Sequence, residues 1–152
     1  MAKKSTTPEF RMDVPTAVRA AVIGGAIMVV LLVLAYANLG GLLSLAMLIP
    51  IAVGVVYVND VSKKITPSYL EAAGGAAVAG VIYVLVVFIV GLILGSLLAN
   101  MVAGEYSSLV GLGMMMGGSF FMNALISQLL QAALLAALGG AGLIFLRTQK
   151  IS

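Results

Sequence analysis

The 152-residue chain contains no cysteine and no histidine, and only 9% of it is charged. Without cysteine there is no disulfide framework and no thiolate metal site. Without histidine the commonest general base and the commonest transition-metal ligand are both missing. The charge content is far below the roughly 25% of an ordinary soluble domain. The few charges also avoid the long apolar runs. That excludes an intramembrane proton relay, a voltage sensor or a carboxylate ion site, all of which need ionisable groups at depth. Intramembrane proteolysis by paired Asp or by a Ser–His pair is excluded on the same grounds. No phosphate-binding loop occurs. The chain is therefore not expected to be an enzyme, and no cofactor or metal is expected.

What is present is apolar: 62% of the residues are hydrophobic and the mean hydropathy is +1.21. This composition describes an all-α integral membrane protein. The stretch from Ala20 to Val58 carries no charge and, as one helix, would be about twice the roughly 20 residues that cross a bilayer. A turn is required, and Asn38-Leu39-Gly40-Gly41 supplies residues that tolerate left-handed backbone. The first two spans are then about 20–37 and 42–58. The polar loop 59–67 follows, and Ser68 with Glu71 reads as a capping box opening a third span, about 72–99. Asn100 to Ser108 is a connector. The last apolar run, from Leu109 to Leu146, exceeds one crossing. Its glycine-rich start reads as a surface-lying or re-entrant lead-in, and the fourth span as about 119–146. Four transmembrane helices, arranged as two hairpins over residues 20–146, are the expected fold, between an N-terminal segment 1–19 and a tail 147–152.

Four spans also bring all the basic residues to one side. Lys3, Lys4, Arg11 and Arg19 precede the first span, Lys63 and Lys64 separate the second and third, and Arg147 and Lys150 follow the fourth. The two opposite loops hold only Glu105. The positive-inside rule then predicts a multi-pass protein of the cell membrane with both termini cytoplasmic. The net charge of +3 is thin and scattered, so the expected counter-charge is the lipid headgroups of the bilayer and not nucleic acid. A signal peptide ending at Ala35-Tyr36-Ala37 is the competing reading of the N-terminal region. It is disfavoured because the apolar run is longer than a signal core and a second span follows almost at once.

Small residues four apart let membrane helices approach closely. Such positions are Gly24 and Gly25 in span one, Gly75, Gly80, Gly91 and Gly95 in span three, and the row Ala132, Ala136 and Gly140 in span four. Small-residue faces on several spans point to a homo-oligomer or to a subunit of a larger membrane complex. Pro50 removes a helical hydrogen bond and is expected to kink span two. Pro15 and Pro67, each followed by a hydroxyl residue, a charge and Ala-Ala, suggest a parallel internal repeat, which generic helix-start chemistry would also produce. Met101, Met114, Met115, Met116 and Met122 offer soft thioethers suited to Cu(I). Consecutive methionines diverge around a helix, however, and packing explains them better.

The remaining polar feature is a strip on span four: Ser119, Asn123, Ser127 and Gln131, with Gln128 beyond its edge. Amides cannot face lipid tails cheaply. They either bond across helices, at about 0.6 to 2 kcal/mol each, or line a narrow polar path. The first use is favoured because no other span offers a second polar surface. The expected role is therefore a helix-packing, assembly or complex subunit, and the alternative is a small channel or transporter for an uncharged or weakly charged solute.

The segments Leu48-Ile49-Pro50, Gly74 to Gly80, and Ala137-Leu138-Gly139-Gly140-Ala141-Gly142 together resemble uncharacterised, glycine-rich, four-span archaeal membrane proteins. The likeness covers about residues 20–146. It implies the four-span fold and brings no activity with it.

Overall fold

The computed structural model describes residues 12–34, 40–102 and 118–149, with the backbone alone at 32, 40–43, 94–102 and 118–122. The elements are helix α1 (Val14–Leu34), a 3₁₀ segment (Gly40–Leu48), and helices α2 (Ile49–Val61), α3 (Tyr69–Val102) and α4 (Gly118–Gln149). No strand occurs among the described residues. Four stretches are long and apolar enough to cross a membrane: Val14–Leu31, Ser44–Val61, Tyr69–Ile93 and Asn123–Gln149. The chain is an all-α, four-span membrane fold.

Most helix ends follow from capping chemistry. Asp13 is the N-cap of α1, and its carboxylate accepts the Thr16 amide at 3.2 Å. The capping box of α3 is reciprocal. The Glu71 amide donates to Ser68 Oγ at 3.3 Å, and the Ser68 amide donates to Glu71 Oε2 at 2.9 Å. Pro15 and Pro67 thus hold different positions, one inside the first turn of its helix and the other ahead of the cap residue. The aligned segments of the suspected repeat are out of register as helix starts.

The second span departs from the expected kinked helix. It opens as nine residues of 3₁₀ helix and turns α-helical at Ile49, with Pro50 in the first turn. Proline is well tolerated there, because its missing N–H is one that the first turn leaves unpaired anyway. Pro50 therefore marks a boundary between two helix types. Of the turn proposed at 38–41, Asn38 and Leu39 lie outside the described residues, and Gly40 and Gly41 start the 3₁₀ segment. The connector from residue 103 onward, Glu105, the lead-in up to Gly117, Met114, Met115, Met116, and Ala35 to Ala37 also lie outside them.

The central pair is α2 and α3. Both pack on α1 and on α4, and the α3–α4 contact is the most extensive. The close approach is made by small residues meeting backbone. A Cβ at Gly80 would lie 2.5 Å from the Ala132 carbonyl oxygen and 2.8 Å from Ala136 Cβ. Gly54 faces the Ala136 carbonyl, and Gly139 faces that of Ile51. The Ala132–Ala136–Gly140 row is thus seated against α2 and α3 of its own chain.

All the described ion pairs gather at one end of the bundle. Lys64 donates to Asp13 Oδ2 at 2.7 Å and to Thr16 Oγ1 at 3.1 Å. Lys63 pairs with Asp60 at 2.8 Å, and Arg19 lies 3.7 Å from the same carboxylate. Arg147 donates to Asn59 Oδ1 at 2.8 Å, and Tyr69 shares a 3.0 Å hydrogen bond with Thr148. These contacts tie the start of α1, the α2–α3 loop and the end of α4 into one charged end.

Candidate functional site: an intramembrane cleft

Burial is concentrated next to the charged end. Ala17, Ala20, Ala21, Tyr57, Val58, Ala72 and Ala76 are almost wholly covered. Tyr57 is the largest of these side chains, and its ring fills the space that the missing side chain of Gly75 leaves on α3. Farther from the charged end, past Val84 on α3 and before Ala132 on α4, none of the described side chains is buried, and Ile89, Leu92, Ile126 and Leu130 are exposed. The bundle is therefore packed tightly by alanine and glycine at the charged end and more loosely toward the other.

Where the tight packing stops, a cleft of about 330 Å³ opens among all four spans. Met28 of α1 and Met47 and Pro50 of the second span line one side. Tyr83, Val84, Val87 and Phe88 of α3 line another, and Gln128, Gln131, Ala132 and Leu135 of α4 complete it. Below it, Gly24 allows Val53 and the Tyr83 ring to close against α1. Gly25 faces only the movable Val86 side chain.

The polar strip divides in the folded chain. At 100° per residue, Asn123 lies about 180° around α4 from the buried Ala132, whereas Gln128 lies only about 40° from it. Asn123 and Ser127 accordingly sit on the outer face of α4, and Gln128 and Gln131 line the cleft. All four are exposed, and neither glutamine hydrogen-bonds another described residue. For Ser119 the backbone alone is described, in the first turn of α4. Depth separates them too. Counted from Leu146 at about 1.5 Å per residue, Gln131 lies about 22 Å along the helix, Gln128 about 27 Å and Asn123 about 34 Å. Asn123 is thus the farthest of the three from the charged end, and Gln131 the nearest to it.

The small-residue positions divide as well. Gly24, Gly25, Gly75, Gly80 and Gly140 face neighbouring helices of the same chain, and Ala132 and Ala136 are buried. Gly91 is exposed, with open space around its Cα. Gly95 lies in α3 where the backbone alone is described. Sequence reasoning missed Gly54 and Gly139, which make the closest backbone contacts. Their partners, Ala136 and Ile51, are not spaced from them by any local pattern. It also missed Tyr83, an aromatic with a polar tip in an apolar run, which was the available signal for a cleft wall.

Chemically, the cleft offers two amides and a phenol in otherwise apolar surroundings, and none of its lining residues is ionisable near neutral pH. It can hold an uncharged group through donors and acceptors together, because each amide is both. No family model, curated protein or solved structure matches the chain.

Proposed function

We propose that the chain is a non-enzymatic, multi-pass membrane protein that receives an uncharged or weakly charged solute in the cleft at Gln128 and Gln131. The observation that carries this reading is the pair of amides lining an otherwise mostly apolar cleft, neither of them bonded to another described residue. Amides in apolar surroundings are costly unless something bonds them. The cleft ends on the packed alanines and Tyr57 toward the charged end. That speaks against a continuous pore through the bundle. Segregation of the eight basic residues supports a cell-membrane orientation with both termini cytoplasmic.

A second reading, as an assembly or complex subunit, draws on Asn123 and Ser127, which point away from the bundle beside exposed Leu130 and Leu134. The small-residue rows support it less, because their faces are mostly occupied within the chain. Stopped-flow uptake of glycerol into liposomes holding the purified protein separates the two. Uptake above that of empty liposomes, reduced at least fivefold by Gln131→Leu, is expected. Absent uptake, together with an oligomer that Asn123→Leu dissociates, would transfer the function to assembly.

A further inference from the structure

We infer that the ligand of this cleft is a neutral, single-chain amphipath, of the fatty-alcohol or monoacylglycerol kind. The inference rests on the solute-binding reading and narrows it to a substrate class. Three features of the cleft select that chemistry. The first is the mixture of its surfaces. The Gln128 and Gln131 amides stand beside the apolar side chains of Met28, Met47, Val84, Val87 and Leu135. A molecule with one polar group and an alkyl chain matches this lining. The second is charge. No lysine or arginine lines the cleft, so a fatty-acid carboxylate or a phosphate head would be desolvated there without a counter-ion. A hydroxyl or ester carbonyl meets the amides without that cost. The third is size. About 330 Å³ lies at the lower end of small-ligand pockets, roughly 300 to 1,000 Å³. One chain fits this space better than the two of a diacyl lipid.

The floor of the cleft is fixed in place. Tyr83 is 6% exposed, and its ring packs where Gly24 leaves room on α1. Its hydroxyl makes no hydrogen bond to another described residue, which leaves it available to a ligand oxygen. Gln131 and Ala132 are adjacent on α4, one lining the cleft and the other seated against Gly80. The backbone that carries the amide is thereby held by a close helix contact.

The test uses the full chain in phosphatidylcholine nanodiscs and three photoactivatable probes with a diazirine in the chain: a monoacylglycerol, a fatty acid at pH 8, and a phosphatidylcholine. Saturable labelling by the monoacylglycerol is expected on peptides containing Tyr83 to Phe88 or Met47 to Pro50, competed by unlabelled monoacylglycerol. The fatty acid should label these peptides at least fivefold less. Labelling should fall at least fivefold in the Gln128→Leu/Gln131→Leu variant. Val87→Trp, which fills the cleft and leaves both amides, should do the same, with circular dichroism checking that each variant folds. Equal labelling by the phosphatidylcholine probe, or labelling confined to outward-facing Leu134 and Leu138, would overturn the inference. If the amphipath fails while glycerol uptake stays dependent on Gln131, the solute-binding reading survives with a different ligand. If both fail, both fall.

Discussion

At the residue scale, the glycines of this chain are not equivalent, and the difference lies in what each would meet if it carried a side chain. Gly54 and Gly139 are opposed by carbonyl groups of the neighbouring helix, and Gly80 by the Ala132 carbonyl and the Ala136 side chain. Backbone cannot rotate away as a valine or methionine can, so an added methyl must push two helices apart. Overpacking of this kind costs about 1 to 3 kcal/mol. Gly54→Ala and Gly80→Ala should each destabilise the protein by about 2 kcal/mol or more. Gly142, with nothing within 4 Å of an added Cβ, is the control. Gly142→Ala should be neutral or stabilising by up to about 1 kcal/mol through helix propensity. Thermal unfolding in detergent reads all three. Equal losses at Gly54 and Gly142 would show that the close α2–α4 contact is not what holds the bundle.

At the scale of elements, the capping residues act on more than their own helices. Asp13 caps α1, and its second carboxylate oxygen takes the Lys64 ammonium from the α2–α3 loop. The Lys64 hydrogen bond, then those from Thr16, hold the Asp13 carboxyl below its ordinary range. A depressed carboxyl adds stability that is complete above the unfolded-state value of 3.8 and is lost as pH falls through the lowered folded value. Asp13→Asn keeps a capping side chain but loses the charge. Its stability should fall slightly below wild type at pH 6, by no more than the about 0.2 to 1 kcal/mol of an exposed pair. The two curves should converge as the medium is acidified below pH about 4. A constant gap between them, followed by thermal unfolding from pH 6 to pH 3, would remove the Asp13–Lys64 pair from the stability of this end. The cap of α3 was legible because a cap is local: Ser68 and Glu71 are three residues apart in sequence and in the helix turn alike. The Asp13 cap lies outside the span expected from Ala20, because α1 begins at Val14. The Pro50 boundary was not legible, because a proline reads the same inside a helix as in its first turn. Only the 3₁₀ course of the preceding nine residues distinguishes the two.

At the scale of the whole molecule, the number of spans was written in the length of the apolar runs, and the cleft was not. A cleft is a failure of packing between segments far apart in sequence, and no periodicity within one helix records it. The strip from Ser119 to Gln131 was legible as polar. Its division between an outer face and the cleft depends on which side of α4 the alanine row turns inward, and that side is set by Gly54 and Gly80 on other helices. What the fold does share with the sequence is its polarity. Both descriptions gather Arg19, Lys63, Lys64 and Arg147 at one end. An odd number of spans would separate the termini and divide these charges between two sides of the membrane, whereas four spans keep them together. The chain's lack of cysteine makes this directly testable, because single introduced thiols have no background. Thr66→Cys, exposed in the loop between α2 and α3, should resist a membrane-impermeant maleimide in intact cells and react once the cells are permeabilised. Ser107→Cys, in the connector that follows α3 in sequence, should react in intact cells. Labelling of both from the outside, or of neither, would place the two loops on the same side, and the hairpin order of the bundle would have to be rebuilt.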